Sequence, residues 1–438
     1  MERIWLKDLK SYADKEIEIS GFVDSIRILQ WVIFVILRDG SGKIQITIEK
    51  SDENNADMIK LFDTLTLEST VKVKGILKIN EKVKLNGMEF IPSNIEVTSL
   101  SANELPIDIK NKDNALRETR LDNRFLDLRR EDNHLLFEIQ TYMEQKMREY
   151  WINNNYMEIH TPKISAASAE SGAEQFKIDY FGQVATLAQS PQFYKQMALA
   201  AGFDRVFEIS QVYRAENSHT SYHQTEIEML DAEIGWINSV DDVMDAEEEW
   251  IKYFLGETFE KYGDKIAETF NTEAPLYDCK WPRIDFWDAK KILKEEFNYV
   301  GEVEEDFERK EEELMCEYAK KKYNSDFIFI THFPWSARSF YVMRDKDGIT
   351  QSYDLLYRGV EITSGAQREH RADILEAQIK DKGLNPEDLR FYIDFFKYGC
   401  PPHGGFGVGM ARIMMKTFNL DNIREATFIY RGPTRLNP

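Results

Sequence analysis

The sequence predicts an α+β protein in two parts: a small N-terminal β-barrel, then a larger domain of antiparallel strands flanked by helices. Three observations predict it. Residues 1–102 alternate apolar and polar over five strand-length runs, a densely charged stretch occupies 103–131, and residues 132–438 mix helical periodicity with further strand-like runs. A chain of 438 residues also exceeds one ordinary core.

The barrel runs are "KEIEISGFV", "WVIFVILRD", "GKIQITIEK", "STVKVKGILKI" and "FIPSNIEVTSL", separated by turn signals such as "DGSGK" and "LNG". Five short strands of period two fit an OB-fold, a barrel that commonly binds oligonucleotides. The next stretch, "NELPIDIKNKDNALRETRLDNRFLDLRRED", has few large apolar residues and reads as a hinge with a short helix. From His134 to Trp151 apolar residues recur every three or four positions, an amphipathic helix of about five turns. "YMEIHTP" then reads as a strand ended by Pro162. Downstream, "DRVFEIS", "EIEMLDAEI", "FIFITHFP", "SFYVMRD" and "ITQSYDLLYRGVEIT" read as strands, and an acidic helix pair is expected near 239–265 and 286–320.

Charge and composition narrow the class. The net charge of −21 would oppose a nucleic-acid partner if it were spread evenly. It is not: residues 241–320 hold 11 basic against 25 acidic side chains, whereas residues 1–100 hold 14 against 16. The acidic block is expected to be a solvated insertion in the larger domain. No apolar run approaches the ~18 residues of a membrane span, and Met1 leads into no signal-peptide pattern. Cys279, Cys316 and Cys400 form neither a disulfide framework nor a paired-cysteine metal site, so a cytoplasmic home is expected. The seven histidines contain no HExxH pair and predict no zinc.

Three elements carry chemistry. In "VFEISQVYRAENSHTSYHQTEIEMLDAEI", two strands flank a polar loop holding Arg214, Glu216, Tyr222 and His223, which could cradle a polyphosphate or be a solvated hairpin. In "QSYDLLYRGVEITSGAQREHR", Asp354 and Glu361 lie on adjacent strand segments, a plausible Mg²⁺ carboxylate pair or two carboxylates facing water. In "PPHGGFGVGMARIMM", Gly404, Gly405, Gly407 and Gly409 allow close backbone approach before a helix that carries Arg412. No βαβ unit accompanies these glycines, so neither a Rossmann site nor a P-loop is expected.

In chain order, "EIHTP", "VYRAE…YHQTE" and "GGFGVGMAR" resemble the three signature motifs of class II aminoacyl-tRNA synthetases. "RLDNRFLDLRR", "LAQSPQFYKQM", "GVEITSGAQREHR" and "GLNPEDLRFYIDFFKYGCPPHGGFG" are similar to aspartyl-tRNA synthetases of the archaeal type. The resemblance implies ATP-dependent aspartylation of tRNA-Asp, of tRNA-Asn, or of both, through an aspartyl-adenylate. If tRNA-Asn is charged, it also implies an amidotransferase partner. It implies Arg214, Arg412 and Glu361 as catalytic groups, and Arg214, Glu216, His223, Glu361, Gly409 and Arg412 around ATP. Aspartate would meet Glu170, Gln192, Lys195, Arg214, Asp231, Ser364 and Arg368, with Ser190 nearby. Asp354, Glu361 and Ser364 would carry Mg²⁺.

In the barrel, Phe34 and Gln45 resemble positions that stack on and hydrogen-bond anticodon bases, although Phe34 within "VIFVI" also fits the barrel core. The resemblance further implies a homodimer through the first motif. Tyr222, Ile227 and Ala411 depart from the pattern, standing where an arginine, an aromatic and an acidic residue are usual. Two other readings stay open: an asparaginyl-tRNA synthetase, opposed by Lys195 and Arg368, and a non-aminoacylating paralogue acting as an amidating enzyme or binding module.

Overall fold

The computed structural model describes residues 3–166 and 174–437, and Glu170 lies outside the described residues. The chain divides into two compact units, Met1–Arg120 and Leu121–Pro438.

In the first unit, β1 (Glu16–Ile28), β2 (Val32–Asp39), β3 (Gly42–Glu49), β4 (Thr70–Ile79) and β5 (Met88–Ser99) close a barrel in the order β1-β2-β3-β5-β4. Neighbours run antiparallel except β3 and β5, which pair in parallel. Period two decides which side chains enter: Ile33, Val35 and Leu37 of β2 and Ile44, Ile46 and Ile48 of β3 are buried. Phe34 therefore sits between two core residues on the outward face, opposite Thr47, with Gln45 two pairs further along.

The expected hinge over 103–131 is shorter than its charge suggested. Arg124 and Asp127 are buried and paired with each other inside the second unit. Arg124 also donates Nε to the Phe428 carbonyl at 3.0 Å and Nη2 to the Thr427 carbonyl at 2.8 Å. The charge beyond Arg120 is thus partly buried in the second unit, whereas most of 103–119 is exposed.

The second unit is built on an eight-stranded sheet. Its strands are β6 (Met157–Glu158), β10 (Arg205–Tyr213), β11 (Glu226–Gly235), β12 (Arg283–Asp285), β13 (Phe327–Thr331), β14 (Ser352–Tyr357), β15 (Val360–Arg368) and β16 (His403–Gly409). Their order is β12-β13-β14-β15-β16-β11-β10-β6, and β7 (Ile164–Ala166), β9 (Gln183–Leu187) and β8 (Lys177–Tyr180) form a separate three-stranded sheet. The six central strands are antiparallel, as the sequence predicts, but both edge strands, β12 and β6, join in parallel. β14 and β15 turn at Arg358 and Gly359, both with positive φ (45° and 80°), the backbone of a tight primed hairpin turn.

Helix Glu131–Asn153 and helix Val240–Phe270 share one core with this sheet, their Trp151 and Trp250 rings stacked 4.5 Å apart. The acidic block is thus not a solvated insertion. Its first helix buries Val243, Trp250, Ile251, Phe254 and Leu255, and even Glu247 and Glu248 are enclosed. The second expected acidic helix is two, Phe286–Phe297 and Arg309–Tyr323. The run "SFYVMRD" is not a strand; it contributes only isolated bridges, such as Val342 with Arg368.

Glu247 shows the consequence of placing an acid in a core. Tyr353 donates its hydroxyl to one carboxyl oxygen at 2.6 Å, and burial pushes the carboxyl up to about 7. A raised value means that the folded state holds the proton. The contribution to stability is full below the ordinary value near 4.5 and is lost as pH rises through 7. Glu247→Gln should therefore match the parent protein near pH 4 and exceed its stability at pH 8 by on the order of 3 kcal/mol in urea unfolding.

Candidate active site

The centre of the sheet forms the floor of a cavity of about 270 Å³, lined among others by Gln192, Lys195, Arg214, Asp231, Ser364 and Arg368. Helix Gln192–Ala200 brings Lys195 over β11, where its Nζ donates to Asp231 Oδ1 at 3.0 Å and to the Phe406 carbonyl at 3.2 Å. The same ammonium lies 3.3 Å from Glu233 Oε2. Arg368, at the end of β15, donates Nε to Glu233 Oε1 at 3.1 Å and Nη2 to the Gly405 carbonyl at 2.9 Å. Burial raises the Asp231 carboxyl, and Lys195 only partly opposes it. Burial also raises Glu233, but Arg368 and Lys195 outweigh it and hold that carboxyl low.

This arrangement needs the glycines of β16. A Cβ on Gly405 would come within 2.2 Å of Glu233 Oε2, and one on Gly407 within 3.0 Å of Asp231 Oδ1. The glycines therefore clear space for buried side chains on the neighbouring strand. Two buried polar atoms at the cavity, Gln192 Nε2 and Asp231 Oδ2, have no hydrogen-bond partner among the described residues. The guanidinium of Arg214, at the far end of β10, lines the same cavity and carries no ion pair among the described residues.

A second group adjoins the cavity. Arg412, in the helix Met410–Thr417 that follows Gly409, donates Nη1 to the Glu361 carbonyl at 2.8 Å, with the Glu361 carboxylate 3.6 Å away. His223 Nε2 lies 3.8 Å from Glu216. Burial lowers the His223 imidazole, and the charges of Arg412 and Arg214 lower it further, so it is neutral at pH 7. Asp354 faces Ser364 across the β14–β15 pair. Burial and the Glu361 charge push its carboxyl up to about 6 against the pull of Arg338, and one of its oxygens, Oδ1, is buried without a partner. Among the described residues, no three His, Cys, Asp or Glu side chains converge.

Sequence reasoning missed Glu233 and Arg338. Glu233 lies two residues after Asp231 on the same face of β11, so strand period alone could have found it. Arg338 follows the single turn Trp335–Ala337, just before the segment misread as a strand; it pairs with Asp354 at 2.7 Å and lies 3.8 Å from the Phe333 ring. The departures are placed as well. Tyr222 lies beside His223 under Arg309, and Ala411 lines a separate cavity of about 360 Å³ with Gln140, Gln224 and Glu228. Phe34 and Gln45 belong to the other unit, where Gln45 Nε2 donates to Thr47 Oγ1 at 3.2 Å.

Residues 116–430 match the family described as tRNA synthetases class II (D, K and N), and residues 17–98 match the OB-fold nucleic acid binding domain. The chain belongs to the class II tRNA synthetases of the D, K and N group. An aspartate–tRNA(Asp/Asn) ligase of Aeropyrum pernix is 41% identical over 432 residues, 98% of this chain and 97% of that one. An aspartate–tRNA(Asp) ligase of Pyrococcus horikoshii is 39% identical over 97% of this chain and 96% of its own. Among solved structures, the asparaginyl-tRNA synthetase of Pyrococcus horikoshii complexed with asparaginyl-adenylate covers 100% of both chains with TM-score 0.91 at 28% identity.

In this synthetase the cavity floor is held by a charge network that fails if one member is lost. Lys195→Met leaves Asp231 and Glu233 under-compensated in a buried site and should cost about 3–5 kcal/mol in urea unfolding. Adding Asp231→Asn to the same chain should recover most of that loss, because it removes the carboxylate left without its closest cation.

Proposed function

We propose that this synthetase is an aspartate–tRNA ligase, activating aspartate with ATP and transferring it to the 3′ end of tRNA. The charge balance of the cavity carries the reading. Lys195, Arg368 and Arg214 bring three cations against the carboxylates of Asp231 and Glu233, while Arg338 is matched by Asp354. Among the described residues the cavity is one positive charge in excess, and aspartate carries one net negative charge. Asparagine carries none, and would leave that excess uncompensated in a buried site. The aspartate side chain would lie toward Lys195 and Arg368, its ammonium toward the free oxygen of Asp231, and its α-carboxylate at Arg214. Glu170 would close over the ammonium.

The chemistry is the attack of the aspartate α-carboxylate on the α-phosphorus of ATP, with pyrophosphate leaving. The 3′-terminal ribose hydroxyl of tRNA then attacks the aspartyl carbonyl, with AMP leaving. The residues position and neutralise; none forms a covalent intermediate. Arg214 would bridge the two reacting anions, Glu216 would meet the adenine edge, and Gly409 would let the backbone approach the nucleotide. His223 and Arg412 would hold the far phosphates, with Arg412 also lying over adenine. The orphaned Asp354 oxygen, the Glu361 carboxylate and the Ser364 hydroxyl suit Mg²⁺, which takes few protein oxygens and completes its shell from phosphate and water. The metal would neutralise phosphate charge.

The outward Phe34 and Gln45 would read anticodon bases. By the same resemblance the enzyme acts as a homodimer through the helix and strand ending at Pro162, and a gel-filtration mass near one chain would contradict this. Cys279, Cys316 and Cys400 are free thiols and no helix among the described residues can cross a membrane, which supports a cytoplasmic enzyme.

Two measurements test the reading. Aspartate should drive ATP–pyrophosphate exchange and asparagine should not; the reverse would make the enzyme asparaginyl, and exchange with neither would leave a non-aminoacylating paralogue. Charging transcripts with anticodons GUC and GUU then separates specificities. GUC alone means a discriminating enzyme, whereas GUU charging means a product that an amidotransferase must convert. Phe34→Ala should leave exchange unchanged and raise KM for tRNA roughly ten- to hundredfold, the worth of a stacked base.

A further inference from the structure

Tyr222 puts a neutral ring where the family resemblance expects an arginine, beside His223 and the proposed phosphate end of the nucleotide. A different chain segment brings a cation to that ring. Arg309, in the first turn of helix Arg309–Tyr323, holds its guanidinium carbon 3.9 Å from the Tyr222 ring centroid, and Lys416 Nζ lies 5.7 Å from the same centroid. A guanidinium at that distance is both attracted and oriented by the ring face.

The surrounding contacts tie Arg309 to the site. Its Nη1 lies 3.3 Å from Glu312 Oε2, the same oxygen that accepts the Glu361 backbone N–H at 2.9 Å. Glu361 in turn neighbours Arg412. Burial lowers the Lys416 ammonium, and Arg309 is the next cause. Arg309 also lies 3.6 Å from Glu313 Oε1, whereas Lys416 carries no ion pair among the described residues, so the two cations beside Tyr222 are only partly matched. A polyanion placed there would relieve their repulsion.

We infer that Arg309, held on the Tyr222 ring, binds the outer phosphates of the nucleoside triphosphate and replaces the charge that position 222 lacks. The inference rests on the ATP-using reading above and adds a residue that the motifs do not contain. The Tyr222 ring is the platform, Arg309 the phosphate-binding group, and Lys416 a neighbouring positive charge that stays within the same field.

The test is calorimetric titration of the full chain with ATP and, separately, with AMP, for the parent, Arg309→Ala, Arg309→Lys and Arg309→Ala combined with Tyr222→Arg. Arg309→Ala should weaken ATP about tenfold, the effect of losing one charge-assisted hydrogen bond, and leave AMP unchanged. Arg309→Lys should lie between, and the double variant should recover ATP affinity. In exchange assays KM for ATP should rise while KM for aspartate stays constant. Unchanged ATP affinity in Arg309→Ala, equal losses for ATP and AMP, or a double variant no better than the single would each overturn the inference. A parent protein that binds no ATP would overturn it too. A parent that binds ATP yet shows no aspartate-dependent exchange would instead sink the aspartate–tRNA ligase reading, while the ATP/AMP comparison still decides the role of Arg309.

Discussion

The four-membered charge network of Lys195, Asp231, Glu233 and Arg368 is the constraint on which the second unit depends. All four groups are buried, and a buried charge is tolerated only with a partner of opposite charge close by. The network therefore dictates sequence on every strand it touches. β11 must present two acids at period two, β15 must end on an arginine, and β16 must lack side chains where those acids lie. The helix Gln192–Ala200 must dock its lysine over β11, which fixes one wall of the cavity. A site that selects one small charged substrate thus also registers the central strands of the sheet.

This double duty explains which features could be read from the chain alone. The barrel strands were legible because one face is buried and the other wet, so period two survives in composition. Lys195 and Arg368 were legible by resemblance. Their neutralisation by Glu233 was not, because an acid in "MLDAEIG" looks like any strand carboxylate until the glycines of β16 are placed against it. Two of the glycines have a use that the motif did not suggest: Gly405 and Gly407 clear space for the side chains of the adjacent strand. Arg338 was missed because it stands just before "SFYVMRD", whose apolar pattern reads as a strand although its backbone forms only isolated bridges.

The acidic block shows a related failure of averaging. Charge over a window reports composition, whereas helix burial depends on which face the charges occupy. In Val240–Phe270 the apolar residues line the core and most acids face outward, with Ser239 and Asp242 capping the first turn. Glu247 and Glu248 are the exceptions, and burial raises the carboxyl of Glu247. It lies beneath Asp354, whose charge adds to the burial that keeps Glu247 protonated, so two acids below the site titrate far from their ordinary range. Keeping Glu247 neutral limits the negative charge under a region meant to meet phosphates.

The same reasoning resolves how a chain of net charge −21 can engage a polyanion. Screening confines exposed charges to a Debye length of about 8–10 Å, so distant carboxylates on the outer helix faces weigh little at either binding surface. What matters is local. At the cavity, Arg214 adds a cation without an ion pair among the described residues to a balanced floor, and Arg309 and Lys416 lie beside the Tyr222 ring. In the barrel unit, the outward face of β2 and β3 offers the ring of Phe34 and the amide of Gln45, groups that recognise bases through stacking and hydrogen bonds.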